Sequence, residues 1–139
     1  MKIRNLQKKD ASQVILLIKQ LTQNIIEPES LVKRIKELIK QKNSHFLVVE
    51  LNDEIVGFGG LVWYKIPSKG IIAWIEEVVV DSQYRKHGIG TALMERLLKL
   101  AKTKKVKQVK LTSAPAAKSL YEKLGFINKD NEYLIKSLS

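Results

Sequence analysis

The chain has 139 residues, 45% of them hydrophobic, enough for one domain spanning 1–139 around one real core. It contains no cysteine, so disulfides, thiolate nucleophiles and cysteine-ligated zinc are excluded, and His45 and His87 lack the spacing of a metal site. Twenty-five Lys and Arg against fourteen Asp and Glu leave a formal charge of +11, which favours anionic partners, although Lys33, Lys36, Lys40, Lys99 and Lys102 stand singly on helix faces as ordinary solvated surface.

The start, Met1-Lys2-Ile3-Arg4-Asn5-Leu6-Gln7, has no apolar signal region, and the longest apolar runs are far too short to cross a bilayer, so the expected location is cytoplasmic. Lys2 to Leu6 reads as a first strand. Asp10 then serves as N-cap to a helix with Val14, Leu17, Ile18 and Leu21 on one face. Pro28 opens a second helix with Leu31, Ile35, Leu38 and Ile39 on its apolar face. Phe46 to Leu51, the Asn52-Asp53 turn and Ile55 to Trp63 form an antiparallel hairpin, in which Gly57, Gly59 and Gly60 mark a bulge or a close approach of backbone.

After Pro67-Ser68-Lys69-Gly70, the segment Ile71 to Val80 is the most apolar and β-branched of the chain and reads as a buried central strand. A polar loop leads from Asp81 into a helix whose buried stripe is Ile89, Leu93, Leu97, Leu100 and Ala101. A strand over Lys107 to Leu111, a short helix over Ala116 to Leu124 ended by Gly125, and a terminal strand pair complete the order β-α-α-β-β-β-α-β-α-β.

The loop before the long helix has the form R-x-x-G-x-G, with Arg85, Gly88 and Gly90. A strand-to-helix junction of this kind exposes backbone amides with no intrahelical partner, and with a guanidinium beside them they form a nest for phosphate. It is neither of the two common nucleotide loops: G-x-x-x-x-G-K-[ST] is absent, and Leu93 stands where G-x-G-x-x-G requires its third glycine.

The loop follows Trp74-Ile75-Glu76-Glu77-Val78-Val79-Val80 and precedes, about thirty residues on, Leu120-Tyr121-Glu122-Lys123-Leu124-Gly125-Phe126. This combination resembles the GNAT superfamily of N-acetyltransferases. The resemblance implies an α+β, three-layer fold: a mixed, mostly antiparallel central sheet, helices on both faces, and a splay between the strands Ile71 to Val80 and Lys107 to Leu111. It implies acetyl-CoA as acetyl donor and an amine as acceptor. Main-chain groups along Val78, Val79 and Val80 would pair with the pantetheine arm as with an added strand. Arg85, Lys86, His87, Gly88, Ile89, Gly90 and Thr91 would hold the diphosphate.

An ammonium must lose a proton before it attacks a thioester, and the departing thiolate gains from an acid. Glu76 and Glu77 are the carboxylates of the apolar strand, in a segment similar to the I-E-D of family members that include glucosamine-phosphate N-acetyltransferases. Either is a candidate base. Alternation along a strand lets at most one of them point easily into the cleft, and pairing with a helix lysine or arginine is the structural alternative for both. Tyr121 matches the family tyrosine that protonates the thiolate. Leu111-Thr112-Ser113-Ala114-Pro115 and Asn131-Glu132-Tyr133 resemble segments of small GNAT proteins, while Ala117 replaces an asparagine common there.

The expected acceptor is a small-molecule amine, with an acidic or phosphorylated group suited to the basic surface. Trp63, Tyr64 and Trp74 could line its pocket. Acetylation of a protein N-terminus or lysine, and a non-catalytic acyl-CoA sensor, are the alternatives. No membrane partner is expected, nothing resembles an RNA-binding aromatic signature, and exposed strand edges leave a homodimer open.

Overall fold

The structure is a computed structural model that describes residues 1–24, 26–129 and 133–138. Its elements are β1 (Lys2–Asn5), α1 (Ala11–Leu21), α2 (Pro28–Lys40), β2 (Ser44–Leu51), β3 (Glu54–Ile66), β4 (Gly70–Val80), α3 (Ile89–Thr103), β5 (Gln108–Lys110) and α4 (Lys118–Lys123). The strands form one sheet in the order β1-β2-β3-β4-β5, antiparallel except for the parallel β4–β5 pair. Single 3-10 turns occupy Lys8–Asp10, Ser82–Tyr84 and Pro115–Ala117.

Each face of the sheet carries its own core. On one face α1 and α2 bury Val14, Leu17, Ile18, Leu31 and Ile35 against Phe46, Val48, Phe58 and Val79. On the other, α3 buries Ile89, Leu93, Met94, Leu97 and Ala101 against Leu47, Val49, Val56, Leu61, Ala73 and Ile75, with Tyr121, Leu124 and Phe126 packed at its margin. This is the expected three-layer arrangement. The apolar periods of the sequence produce it because a 3.6-residue stripe on each helix meets one side of a period-two strand. Among the described residues no helix is long and apolar enough to cross a membrane.

The expected hairpin forms as β2 and β3, and Asn52 and Asp53 both have positive φ, 51° and 64°, as a two-residue turn with the right twist requires. Gly60 lies opposite Phe46 in the register, and a Cβ there would collide with the Phe46 ring. Phe46 in turn stacks on Phe58 with centroids 5.5 Å apart. The glycines of β3 therefore do what glycines in a strand often do, admitting a neighbour too close for a side chain.

Three expectations are corrected. Asp10 does not cap α1: its backbone is already helical, and its buried carboxylate takes two hydrogen bonds from Arg4, at 2.9 and 2.8 Å, and one from the Gln7 amide at 2.8 Å. The carboxylate is taken up by the Arg4 guanidinium six residues back and by the start of the preceding 3-10 turn, and leaves the amides of α1 uncapped. The strand expected over Lys107 to Leu111 contracts to Gln108–Lys110, because its pairing with β4 ends at Trp74 and Lys110. The terminal strand pair is not formed among the described residues: Phe126 to Lys129 and Tyr133 to Leu138 have no regular structure, and Tyr133, Leu134, Ile135 and Leu138 are exposed. Alternating apolar residues there give strand propensity, but β5 offers only a three-residue edge to pair with. Asn131 and Glu132, part of the expected N-x-Y segment, lie outside the described residues.

Candidate active site

β4 pairs with β3 over most of its length but with β5 only from Ile72 to Trp74. From Ile75 to Val80 its β5-facing edge has no strand partner among the described residues, which is the splay the sequence led us to expect. This edge runs straight into the loop that begins α3.

Within the same stretch the ladder is bulged. Phe58 pairs with Val79 and Gly60 with Glu76, so Glu77 and Val78 together face Gly59 alone. Glu77 takes a φ of 58°, left-handed and strained for a residue with a Cβ, and a Cβ on Gly59 would press on Val78 at 3.0 Å. The inserted residue shifts the phase of the strand: Ala73 and Ile75 face the α3 core, and after the bulge Val78 and Val80 do so, while Val79 turns to the α1–α2 core. Simple alternation over Glu76 and Glu77 is thereby corrected. Both glutamates are exposed and neither is in an ion pair, since the ion pairs among the described residues join Arg4 to Asp10 and Glu50.

Glu76 lies in a row with Gly60 and Phe46, on the sheet face that α1 and α2 cover in part. Although its side chain reaches solvent, the surrounding atoms remove enough water to push its carboxyl above the ordinary value, and the neighbouring charge of Glu77 adds to the shift. Tyr121, on α4, sits on the opposite face, half-buried and edge-on to Phe126 with centroids 6.0 Å apart. Burial raises its phenol pKa.

At the other end of the open edge, Arg85, Lys86, His87 and Gly88 are exposed. Arg85 Nε donates to the Val80 carbonyl at 3.2 Å, tying the arginine to the end of β4. Gly88 has φ 78°, a conformation that glycine adopts without strain, and nothing lies within 4 Å of where its Cβ would be. The first intrahelical bond of α3 runs from Ala92 N to Gly88 O at 3.1 Å, so the amides of Ile89, Gly90 and Thr91 precede it and have no intrahelical partner. A Cβ on Gly90 would make only ordinary contact with Val80, at 3.7 Å, so protein packing does not require a glycine there.

Residues 12–126 match the acetyltransferase (GNAT) family. The chain belongs to the GNAT family. Over 100 residues it is 34% identical to an uncharacterised N-acetyltransferase of Methanocaldococcus jannaschii, a match covering 68% of this chain and 44% of that protein, so it spans less than half of that relative. Over 117 residues it is 27% identical to glucosamine 6-phosphate N-acetyltransferase 1 of Dictyostelium discoideum, covering 81% of this chain and 74% of that one. The crystal structure of glucosamine-6-phosphate N-acetyltransferase from Arabidopsis thaliana superposes with a TM-score of 0.85 at 28% identity, over 99% of this chain and 98% of that one. The GNAT assignment makes this a domain of the acetyl-CoA-dependent N-acetyltransferases.

Of the expected acceptor aromatics, the GNAT fold separates Trp63 from the other two. Trp63 packs on the α3 core with Lys104 Nζ 5.1 Å from its ring centroid, whereas Trp74 belongs to neither core and Tyr64 is 43% exposed. Sequence reasoning missed Lys110, whose ammonium lies 5.7 Å from the centroid of Trp74. The signal was available, since Val109 and Leu111 alternate with Lys110 and set it on the opposite face.

Proposed function

We propose that this domain transfers the acetyl group of acetyl-CoA directly to a primary amine of a small molecule, with glucosamine 6-phosphate as the first candidate acceptor. The observation that carries the proposal is that the unpaired β4 edge leads directly into the helix start whose Ile89, Gly90 and Thr91 amides have no intrahelical partner. The donor needs both parts. Its pantetheine amides take main-chain hydrogen bonds along Val78, Val79 and Val80. Its diphosphate takes the helix-start amides and the charge of Arg85, with Lys86, His87 and Gly88 forming the rest of the cradle. The open space at Gly88 and the slack contact at Gly90 leave room for that anion.

In the transfer, the amine nitrogen bonds to the thioester carbonyl carbon as the carbon–sulfur bond breaks. The proton lost by the amine passes to Glu76, directly or through one water, and the thiolate takes a proton from Tyr121. A raised carboxyl pKa suits Glu76 to receive that proton. Glu77 holds the bulge that sets Glu76 beside the cleft. The candidacy of glucosamine 6-phosphate is supported by the named relatives in Dictyostelium and Arabidopsis and by the basic surface.

The test is thiol release from acetyl-CoA over a panel of amino sugars and their phosphates, polyamines, amino acids and peptide N-termini. Amine-dependent release is the expected result. Binding of acetyl-CoA in calorimetry with no release over the whole panel would reduce the domain to a sensor, and absence of binding heat would remove the donor site itself.

A further inference from the structure

Along the face of the sheet that carries Glu76, one row runs outward from the core: Val62 packs at the margin of the α1–α2 core, while Trp74 and Lys110 belong to neither core. Val62 pairs with Trp74 and Trp74 with Lys110, so these side chains form a row across β3, β4 and β5, one strand period away from the row of Phe46, Gly60 and Glu76. Tyr64, opposite Ile72, flanks it on the same face. Trp74 is a large apolar side chain that packs on neither core, and its ring is covered by the Lys110 ammonium instead. Lys110 meets no carboxylate in the ion pairs of the described residues. The pair is thus a half-open indole with a cation over it and no carboxylate paired to that cation, about 7 Å along the strand from Glu76.

We propose that Trp74 and Lys110 form a recognition subsite for the acceptor, in which the indole underlies the body of the molecule and Lys110 pairs with an anionic group, phosphate or carboxylate. The inference rests on the amine-acceptor reading given above. The geometry sets the substrate class. Glu76 lies a two-residue step, about 7 Å, along β4 from Trp74, and Lys110 lies one strand, about 5 Å, to the side, so the anion and the amine of a fitting acceptor stand roughly 8 Å apart, across a body the size of one sugar ring. Such a body presents C–H groups to an indole face, and a cation beside that face discriminates by charge as well as by shape. A neutral amine of the same shape can reach Glu76 but leaves Lys110 unpaired.

The test compares three acceptors: glucosamine 6-phosphate, glucosamine and 4-aminobutyrate, which supply a phosphate, no anion and a carboxylate. Lys110→Ala is expected to raise KM for the phosphate about tenfold or more, the loss of one charge-assisted hydrogen bond, with KM for glucosamine and for acetyl-CoA changed less than about twofold. Lys110→Arg should restore most of the difference. An effect on 4-aminobutyrate but not on glucosamine 6-phosphate assigns the subsite to carboxylates, and the reverse assigns it to phosphates. Equal effects on charged and neutral acceptors, or none on either, overturn the subsite.

A binding readout keeps this separate from catalysis. In the Trp63→Phe background Trp74 is the sole tryptophan, and its emission should change on titration with the anionic acceptors but not in the added Lys110→Ala variant. Binding that depends on Lys110 without acetyl transfer would sink the catalytic reading and leave the subsite standing. Transfer with unaltered selectivity and silent Trp74 emission would do the opposite.

Discussion

Phe46 occupies the space that any side chain at position 60 would need, its ring lying over Gly60. Because Gly60 also pairs with Glu76, this contact links the α1–α2 core to the bulged stretch of β4. Gly60→Ala should cost about 1–3 kcal/mol, the usual penalty of overpacking, read from denaturant melts. Phe46→Leu in the same chain should recover part of that loss, and additive destabilisation by the two changes would contradict the contact.

Glu76→Gln should lower turnover severely and abolish the ascending limb of the pH–rate profile attributed to the base. The sign of its effect on stability is opposite. The native pKa of Glu76 lies above the ordinary carboxyl value, so the folded state binds this proton more tightly than the unfolded one. The stabilisation from this group is complete below the unfolded pKa and is lost as pH rises through the folded one. At neutral pH the Gln variant should therefore melt at or above the temperature of the parent, and the gain should vanish at pH 3. A variant less stable at pH 7 than at pH 3, relative to the parent, would refute this.

Gly88 and Gly90 should separate on mutation to alanine. Gly88→Ala places a Cβ at φ 78° and should cost about 1 kcal/mol of stability in addition to weakening acetyl-CoA binding. Gly90→Ala meets only an ordinary contact with Val80 and should keep stability or raise it by up to about 1 kcal/mol, while weakening acetyl-CoA binding about tenfold. Isothermal titration with acetyl-CoA beside thermal melts distinguishes the two; unchanged affinity in Gly90→Ala would mean that the diphosphate lies elsewhere.

Tyr121→Phe keeps the edge-on contact with Phe126 and should leave stability and donor affinity nearly unchanged while lowering kcat. Arg85→Ala should act the other way, raising KM for acetyl-CoA with a smaller effect on kcat. Full turnover in the Phe variant would remove Tyr121 from the chemistry.

Arg4, Asp10 and Glu50 join β1, the following turn and β2, and the Asp10 residue is 2% exposed. Burial alone would raise the Asp10 pKa, but the hydrogen bonds from Arg4 and from the Gln7 amide outweigh it and hold the carboxyl below its ordinary value. Its stabilisation is thus present above the unfolded carboxyl pKa and is lost as pH falls through the folded one. Asp10→Asn should cost about 3 kcal/mol at pH 7, and the gap to the parent should narrow in chemical melts below about pH 4. A gap that stays constant with pH would show that the charge is not involved.

The helices, the hairpin and the glycine-bearing turn before α3 were legible because each rests on local periodicity or on turn residues whose backbone role is local. The bulge at Glu77 was not. A glutamate gives no hint of a positive φ, and the insertion depends on how Glu77 and Val78 sit opposite Gly59 across the ladder, a non-local register. Asp10 misled for a related reason, since a cap and a buried ion pair draw on the same residue type and only the position of Arg4 decides between them. For Lys110 the alternation with Val109 and Leu111 gave its face, while its neighbour Trp74 followed only from the parallel register.

The sheet separates two surfaces, each with its own core. The loop that begins α3 belongs to one side of it, and the row of Glu76 with its aromatic and cationic neighbours to the other; they communicate only through the gap where β5 stops short. On the proposed assignment, changes on the α1–α2 side would retune which amine is accepted without loosening the grip on the donor, so one frame could be re-addressed to new acceptors by changes confined to a single surface.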